Sequence, residues 1–192
     1  MLTEAQIDKE LVERQGFPLF FQLAWHQIES TPLIWEPHLE HGAVHYEAVA
    51  DGLIQDFVHN VPPGTSKSSL ASVLFPVYDW VRNPWRKFIC TGYDERLSLR
   101  FAERRLRLVQ SEWFQARWPH VQIHKGDRAS VGFYENTCGG SVFSTMMGGA
   151  AVGRHAHILI ADDPHKTDDL RLGGESARSV LDETWARWIE TF

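Results

Sequence analysis

The chain has 192 residues, of which 43% are hydrophobic, with eight tryptophans and a formal charge of -6. Such a chain can bury a sizeable core, which excludes a disordered or low-complexity protein, and its acidic balance leaves any DNA affinity to a local basic patch. No apolar run approaches the length of a membrane span, and the start MLTEAQIDKE lacks the charged and apolar regions of a signal peptide, so the expectation is a soluble, cytoplasmic protein.

Residues 1–30 read as helical, with Thr3 as N-cap and Leu2, Ile7, Leu11 and Val12 roughly on one side. Gly16 and Pro18 should break that helix before the aromatic run Phe17, Phe20, Phe21 and Trp25. After a proline-punctuated connection, residues 38–51 form a second expected helix that ends with Gly52 in the C′ position. Residues 1–52 are therefore expected to be a helical segment that packs on a core formed by residues 53–192.

The core is expected to open with a strand over 53–60, followed by the loop VPPGTSKSS. Strand, loop and helix in that order form the layout of a phosphate-binding loop. Backbone N–H groups and a helix N-terminus cradle the phosphates, a lysine reaches the outer ones, and a hydroxyl holds magnesium. Lys67 and Ser68 fit the last two roles, within a loop comprising Pro63, Gly64, Thr65, Ser66, Lys67, Ser68 and Ser69. The pattern is imperfect, because Val61 and Ser66 occupy its usual glycine positions. Taken alone, the stretch is equally readable as a Pro-Gly turn before a surface helix.

Leu70, Val73, Leu74, Val77 and Val81 fall at helical spacing, so an amphipathic helix is predicted from Lys67 to about Arg82, kinked where Pro76 removes a backbone bond. Residues 86–93, RKFICTGY, then read as a strand, and Asp94 opens a helix that runs to about Gln110. On that helix Arg96, Arg100, Arg104 and Arg107 share one face, as do Leu97, Phe101, Ala102, Leu106 and Val109. The arginine stripe suits a contact with DNA or a neighbouring subunit, although a solvated face with a few surface pairs is the usual reading of such a stripe. Residues 111–119 form an aromatic-rich short helix or loop, and β-like runs follow at 121–124, 131–134 and 141–145. The glycine-rich stretch 146–154 ends at Arg154, which invites comparison with an arginine finger.

HILIADDP, residues 157–164, is an apolar run that stops at two adjacent carboxylates. A buried strand ending there can aim both at the mouth of a parallel sheet, where ligands of open α/β sheets bind. Magnesium takes oxygen ligands, usually one or two carboxylates with phosphates and water. Asp162 is thus the expected metal ligand together with Ser68, and Asp163 the group that orients or deprotonates the attacking water. By itself a DDP triplet is more often a turn or a cap, and the upstream loop changes that balance. Residues 167–174 read as loop and 175–192 as a last helix. Cys90 and Cys138 suit neither a disulfide framework nor a zinc site, and His38, His41 and His45 lack a partner that would complete a zinc set.

VPPGTSKS, then FICTGYDERLSLRFAERRLRLVQSEWFQARWP, then ILIADDPHK resembles, in order and spacing, the ATPase domain of the terminase large subunits of tailed bacteriophages, the motors that pump DNA into procapsids. The likeness covers about residues 38–166. It implies an α/β fold, an additional-strand, RecA-like P-loop NTPase with a mainly parallel central sheet flanked by helices, and ATP and Mg2+ as cofactors. It also implies double-stranded DNA, a homo-oligomeric ring, a portal and a small terminase subunit as partners, in the cytoplasm of an infected host. By the same resemblance Lys67 and Ser68 match the phosphate and magnesium positions, Asp162 the metal position and Asp163 the catalytic carboxylate, usually a glutamate in related motors. The sequence departs from the pattern at Ser66, where a glycine commonly precedes the lysine. It also ends before the coupling motif, the last core strands and the nuclease domain expected of such motors. The expected activity is ATP hydrolysis coupled to DNA translocation. The alternatives are a helicase-like P-loop ATPase and a non-hydrolysing nucleotide- or DNA-binding module that uses the face from Arg96 to Arg107. Aromatic and polar groups within residues 17–45 are the candidates for holding the base.

Overall fold

The computed structural model describes residues 2–125, 130–147 and 154–164, together with Glu183 and Ala186. The chain is α/β: a four-stranded sheet in the order β2-β3-β1-β4, with helices packed on it. The central strand β1 (Lys87–Gly92) pairs in parallel with both β3 (Ser141–Met146) and β4 (Ile158–Asp162), whereas β2 (Phe133–Glu135) is antiparallel to β3. Five consecutive residues of β1 are buried, as expected of a parallel strand covered on both faces.

Helix α1 (Glu4–Ile28) starts as predicted, with Thr3 and Gln6 forming a reciprocal capping box. Its predicted break lies at Gly16, whose φ of 72° and ψ of -153° are non-helical. A Cβ at Gly16 would lie 2.1 Å from the Glu47 carboxylate, so the kink also provides the space in which α2 (Pro37–Ala50) approaches. Helix α2 ends on Gly52, which has a φ of 73° and sits in the predicted C′ position, while the Leu53 N–H returns to the Ala48 carbonyl at 2.9 Å. The aromatic residues after the kink join the two N-terminal helices to the rest. Phe17 stacks on Tyr78 at 4.9 Å, and Phe20 meets Trp118 at 5.4 Å. One continuous apolar cluster runs from Val12 to Ile160.

The expected first strand is absent. Residues 53–60 are irregular, and among the described residues β4 pairs only with β1. Leu53 and Val58 are 78% and 90% exposed, whereas Phe57 and His59 turn onto α2, stacking near His45 and Tyr46. Packing against a helix therefore takes precedence over the β-propensity of the run.

The helix after the loop continues from Lys67 to Arg82 as predicted, but Ser69–Leu74 is a π-helical turn before α3 (Phe75–Arg82). The predicted kink at Pro76 thus takes the form of a changed register, with the Phe75 N–H bonded to the Leu70 carbonyl. Helix α4 (Glu95–Gln110) is capped by the Asp94 carboxylate, which accepts from the N–H groups of Arg96 and Leu97. Its buried stripe is centred on Ser98, Ala102, Arg105, Leu108 and Val109, so the predicted apolar face is rotated; Leu97, Phe101 and Leu106 are only partly covered. Helix α5 (Glu112–Arg117) fills the predicted aromatic segment. The predicted run at 121–124 contributes a single bridge, Ile123 to Asn136. The glycine-rich connection at 148–153 and, apart from Glu183 and Ala186, the expected loop and helix beyond 166 lie outside the described residues.

Buried Asp79 in α3 illustrates a charge held inside this core. Its Oδ1 accepts from Arg86 at 2.7 Å and Asn83 at 3.1 Å, while Oδ2 has no partner among the described residues. Burial raises its pKa to about 6 against the opposing pull of Arg86. Between about pH 4 and 6 the folded state binds more protons at this group than the unfolded state, so its contribution to stability falls as pH rises through that window. The expected outcome is that Asp79→Asn gains on the wild type as pH rises from 4 to 6, measured as the difference in urea midpoint; a constant difference would remove Asp79 from the pH dependence.

Candidate functional site

The carboxyl ends of β1 and β4 lie side by side, with Gly92 opposite Asp162 and the Tyr93 N–H donating to the Asp163 carbonyl at 3.2 Å. This parallel register carries both aspartates to one end of the sheet, the position expected of them. Lys67, 96 residues earlier, reaches the same end, where its ammonium pairs with Asp163 Oδ1 and lies 3.8 Å from Asp162 Oδ1. The two stretches singled out in the sequence therefore meet through their charged groups.

The carboxylates occupy different environments. The Asp162 side chain is 8% exposed and its Oδ2 accepts the Ser72 hydroxyl at 3.0 Å, whereas Asp163 is 59% exposed. Asp163 has a φ of 45°, a left-handed conformation that Asp tolerates better than most residues. One acid is held and the other is free to act. Their pair with Lys67 is partly open to solvent and adds little to stability.

The loop is shaped by local bonds. The Thr65 hydroxyl donates to the Pro62 carbonyl at 2.7 Å, and His38 Nε2–H on α2 donates to the Thr65 carbonyl at 3.2 Å. Gly64 and Ser66 have φ values of 80° and 61°. Ser66 thus adopts a left-handed backbone of the kind that favours glycine, at a cost on the order of 1 kcal/mol for a serine. Pro63 and Gly64 are exposed, Thr65, Ser66, Lys67 and Ser68 are half-buried, and Ser69 is buried. The Ser69 hydroxyl lies between Glu29 and Arg104, each at 3.5 Å, so it faces the protein. The Ser68 hydroxyl makes no hydrogen bond among the described residues, and Lys67 begins the helix, whose first N–H groups lack intrahelical acceptors.

Those donors suit Mg2+. A free hydroxyl and one buried carboxylate leave its remaining positions to phosphate and water, as the ion prefers. Among the described residues no group of three or more His, Cys, Asp or Glu side chains is arranged to hold a metal ion by itself. The rings of His41 and His45 lie 4.3 Å apart and tilted, and His59 has its pKa lowered first by burial and then by Lys67, His38, His41 and His45. Cys90 is buried and Cys138 exposed, both as free thiols.

Other candidates are not at this site. Arg154 lies over the rings of Phe143 and Phe133, at 4.2 and 4.6 Å. The arginine stripe is divided: Arg96 and Arg100 are exposed, Arg107 pairs with Glu103 at 3.1 Å, and Arg104 turns inward to Glu29. Phe17, Phe20 and Phe21 are fully buried, which removes them from the expected set for holding a base; His38 bonds to the loop, and His41 lines an open pocket with Trp35 and Glu40. The sequence reading missed Ser72 and Arg105. Ser72 was detectable only as a second hydroxyl one turn past Ser68, and Arg105 was obscured by the arginines around it.

The chain matches no protein-family model, and no curated protein is significantly similar to it. Among the described residues no helix is long and apolar enough to cross a membrane.

Proposed function

We propose that this chain is the ATP-hydrolysing domain of a DNA-packaging motor of the terminase large-subunit class, built on a P-loop NTPase fold. The observation that carries the reading is the meeting of Lys67 with Asp162 and Asp163 at the carboxyl end of a parallel strand. A lysine at a helix start and two acids at a strand end are the parts that phosphoryl transfer to water requires. Lys67 and the loop N–H groups bind the outer phosphates. Ser68 and Asp162 would hold Mg2+, which supplies charge neutralisation for the transferred phosphoryl group. Asp163, exposed and unencumbered except by Lys67, accepts a proton from water or orients it. Without nucleotide Lys67 offsets the repulsion between the two acids, and an incoming phosphate competes for it. The left-handed Ser66 supports this reading over a non-hydrolysing binding module, because its backbone has the conformation that a glycine favours. Double-stranded DNA, further copies of the chain in a ring, a portal and a small terminase subunit are the partners the resemblance implies.

The test is thermal unfolding with and without Mg-ATP, for the wild type and Lys67→Ala. At a hundred times its dissociation constant a ligand stabilises by about 2.7 kcal/mol, a rise of roughly 5–10 °C for a domain of this size. The wild type is expected to show that rise and Lys67→Ala to lose it. No rise in the wild type would reject the nucleotide site, and salt-sensitive DNA binding that survived the mutation would favour the binding module.

A further inference from the structure

We infer that Ser72 is a positioning residue for the metal carboxylate Asp162 and is itself set in place by Arg105; the inference rests on the nucleotide reading above and extends it to groups outside the loop. Pro76 lies in the first turn of α3. A proline has no N–H, so the carbonyl four residues earlier, that of Ser72, loses its α-helical donor inside a fully packed core. A buried carbonyl left in that state costs on the order of 1–3 kcal/mol. Arg105, 1% exposed on the buried stripe of α4, donates Nη1–H to that carbonyl. Its Nε–H donates to the Tyr134 hydroxyl at 3.0 Å and its Nη2–H to the Ser144 hydroxyl at 2.6 Å.

These acceptors are all neutral, and no carboxylate touches the guanidinium among the described residues. Ser72 links this guanidinium to a carboxylate. That residue presents its carbonyl to the buried cation and its hydroxyl to Asp162 Oδ2 at 3.0 Å. Arg105, Ser72 and Asp162 line one small cavity between the π-helical turn, β1 and α4. Ser72 therefore bridges a buried cation to a buried anion, and at reduced dielectric the two attract across it. With Oδ2 engaged by the hydroxyl, Asp162 keeps Oδ1 on the side of Lys67, where the metal is required. The π-helical register is part of this arrangement, since it brings Ser72 to β4 with its carbonyl still available to Arg105. Outer partners of this kind commonly tune metal affinity by 10- to 100-fold.

The experiment is a Mg2+ titration of the ATP-induced rise in unfolding temperature, with ATP fixed, for the wild type, Ser72→Ala, Ser72→Thr and Ser98→Ala. Ser98 lines the same cavity but donates to the Asp94 carbonyl at 3.1 Å, so its variant controls for simple loss of packing or of a buried hydroxyl. Ser72→Ala is expected to raise the half-saturating Mg2+ about tenfold. Ser72→Thr should restore it, Ser98→Ala should not move it, and ATP without Mg2+ should affect wild type and Ser72→Ala equally. A folded Ser72→Ala with wild-type Mg2+ dependence would overturn the inference while leaving the nucleotide site standing. A wild type without any Mg-ATP effect would overturn the site itself and the inference with it. Arg105→Lys, which keeps the charge and loses the forked donors, is expected to shift the Mg2+ dependence in the same direction as Ser72→Ala.

Discussion

Replacing Asp163 with asparagine is expected to abolish measurable ATP turnover while leaving ATP binding at least as strong as in the wild type. The amide keeps the volume and the left-handed backbone that Asp163 adopts, since Asn tolerates that conformation as well as Asp does. It removes the proton acceptor, and positioned acid–base groups commonly contribute 100- to 10,000-fold to rate. It also removes the principal partner of Lys67, whose ammonium then faces an incoming phosphate without competition from that carboxylate. The expected readings are phosphate release reduced by at least two orders of magnitude and a Mg-ATP thermal shift equal to or larger than that of the wild type. Near-wild-type phosphate release would take Asp163 out of the catalytic role. Loss of both binding and turnover would indicate that the carboxylate is needed to build the site rather than to run it. The neighbouring position should behave differently. Asp162 is buried against Ser72, so its replacement should act on the metal before it acts on the water.

The largest expected effect on stability is at Phe17. The ring is fully buried and lies within 6.4 Å of the rings of Phe20, Phe21, Tyr46, Phe75 and Tyr78, which belong to α1, α2, the π-helical turn's C-cap and α3. Its N–H donates to Glu47, which also accepts the Tyr78 hydroxyl at 2.8 Å. Truncating such a ring leaves a cavity lined by other rings that cannot collapse into it. Phe17→Ala is expected to cost about 3–5 kcal/mol, which for a chain of this length lowers the unfolding midpoint by roughly 6–20 °C. Because Phe17 touches both N-terminal helices and the helix after the 61–66 loop, the loss should appear as one cooperative transition at lower temperature. A separate early transition confined to α1 and α2 would mean that these helices form an independent unit, and a drop of less than about 3 °C would mean that the cluster repacks.

Features encoded within a few residues were legible in the chain. Thr3 with Gln6, Gly16, Gly52 and Asp94 mark helix starts, a break and a stop through their own side chains or backbone freedom, so their roles do not depend on distant neighbours. The strands at 87–92 and 158–162 were legible as short apolar runs, Phe88–Cys90 and Ile158–Ala161, and the one at 141–146 as a weaker β-like run interrupted by Ser144 and Thr145. The lysine and the two acids stood out by residue type and position at the ends of such elements. What required the tertiary structure was every choice between competing partners. Residues 53–60 have strand-like composition, yet Phe57 and His59 are taken by the rings of α2. Four neighbouring arginines looked equivalent in sequence, and the fold turns Arg104 to Glu29 while leaving Arg96 and Arg100 in solvent. Buried Arg105 donates to the Ser72 carbonyl, which Pro76 on another helix leaves without its α-helical donor, and Ser72 meets Asp162 where the π-helical turn packs against β4. Hydrogen-bond partners of buried groups are selected by three-dimensional proximity and by the cost of leaving any of them unmatched, and neither quantity is written in local sequence spacing.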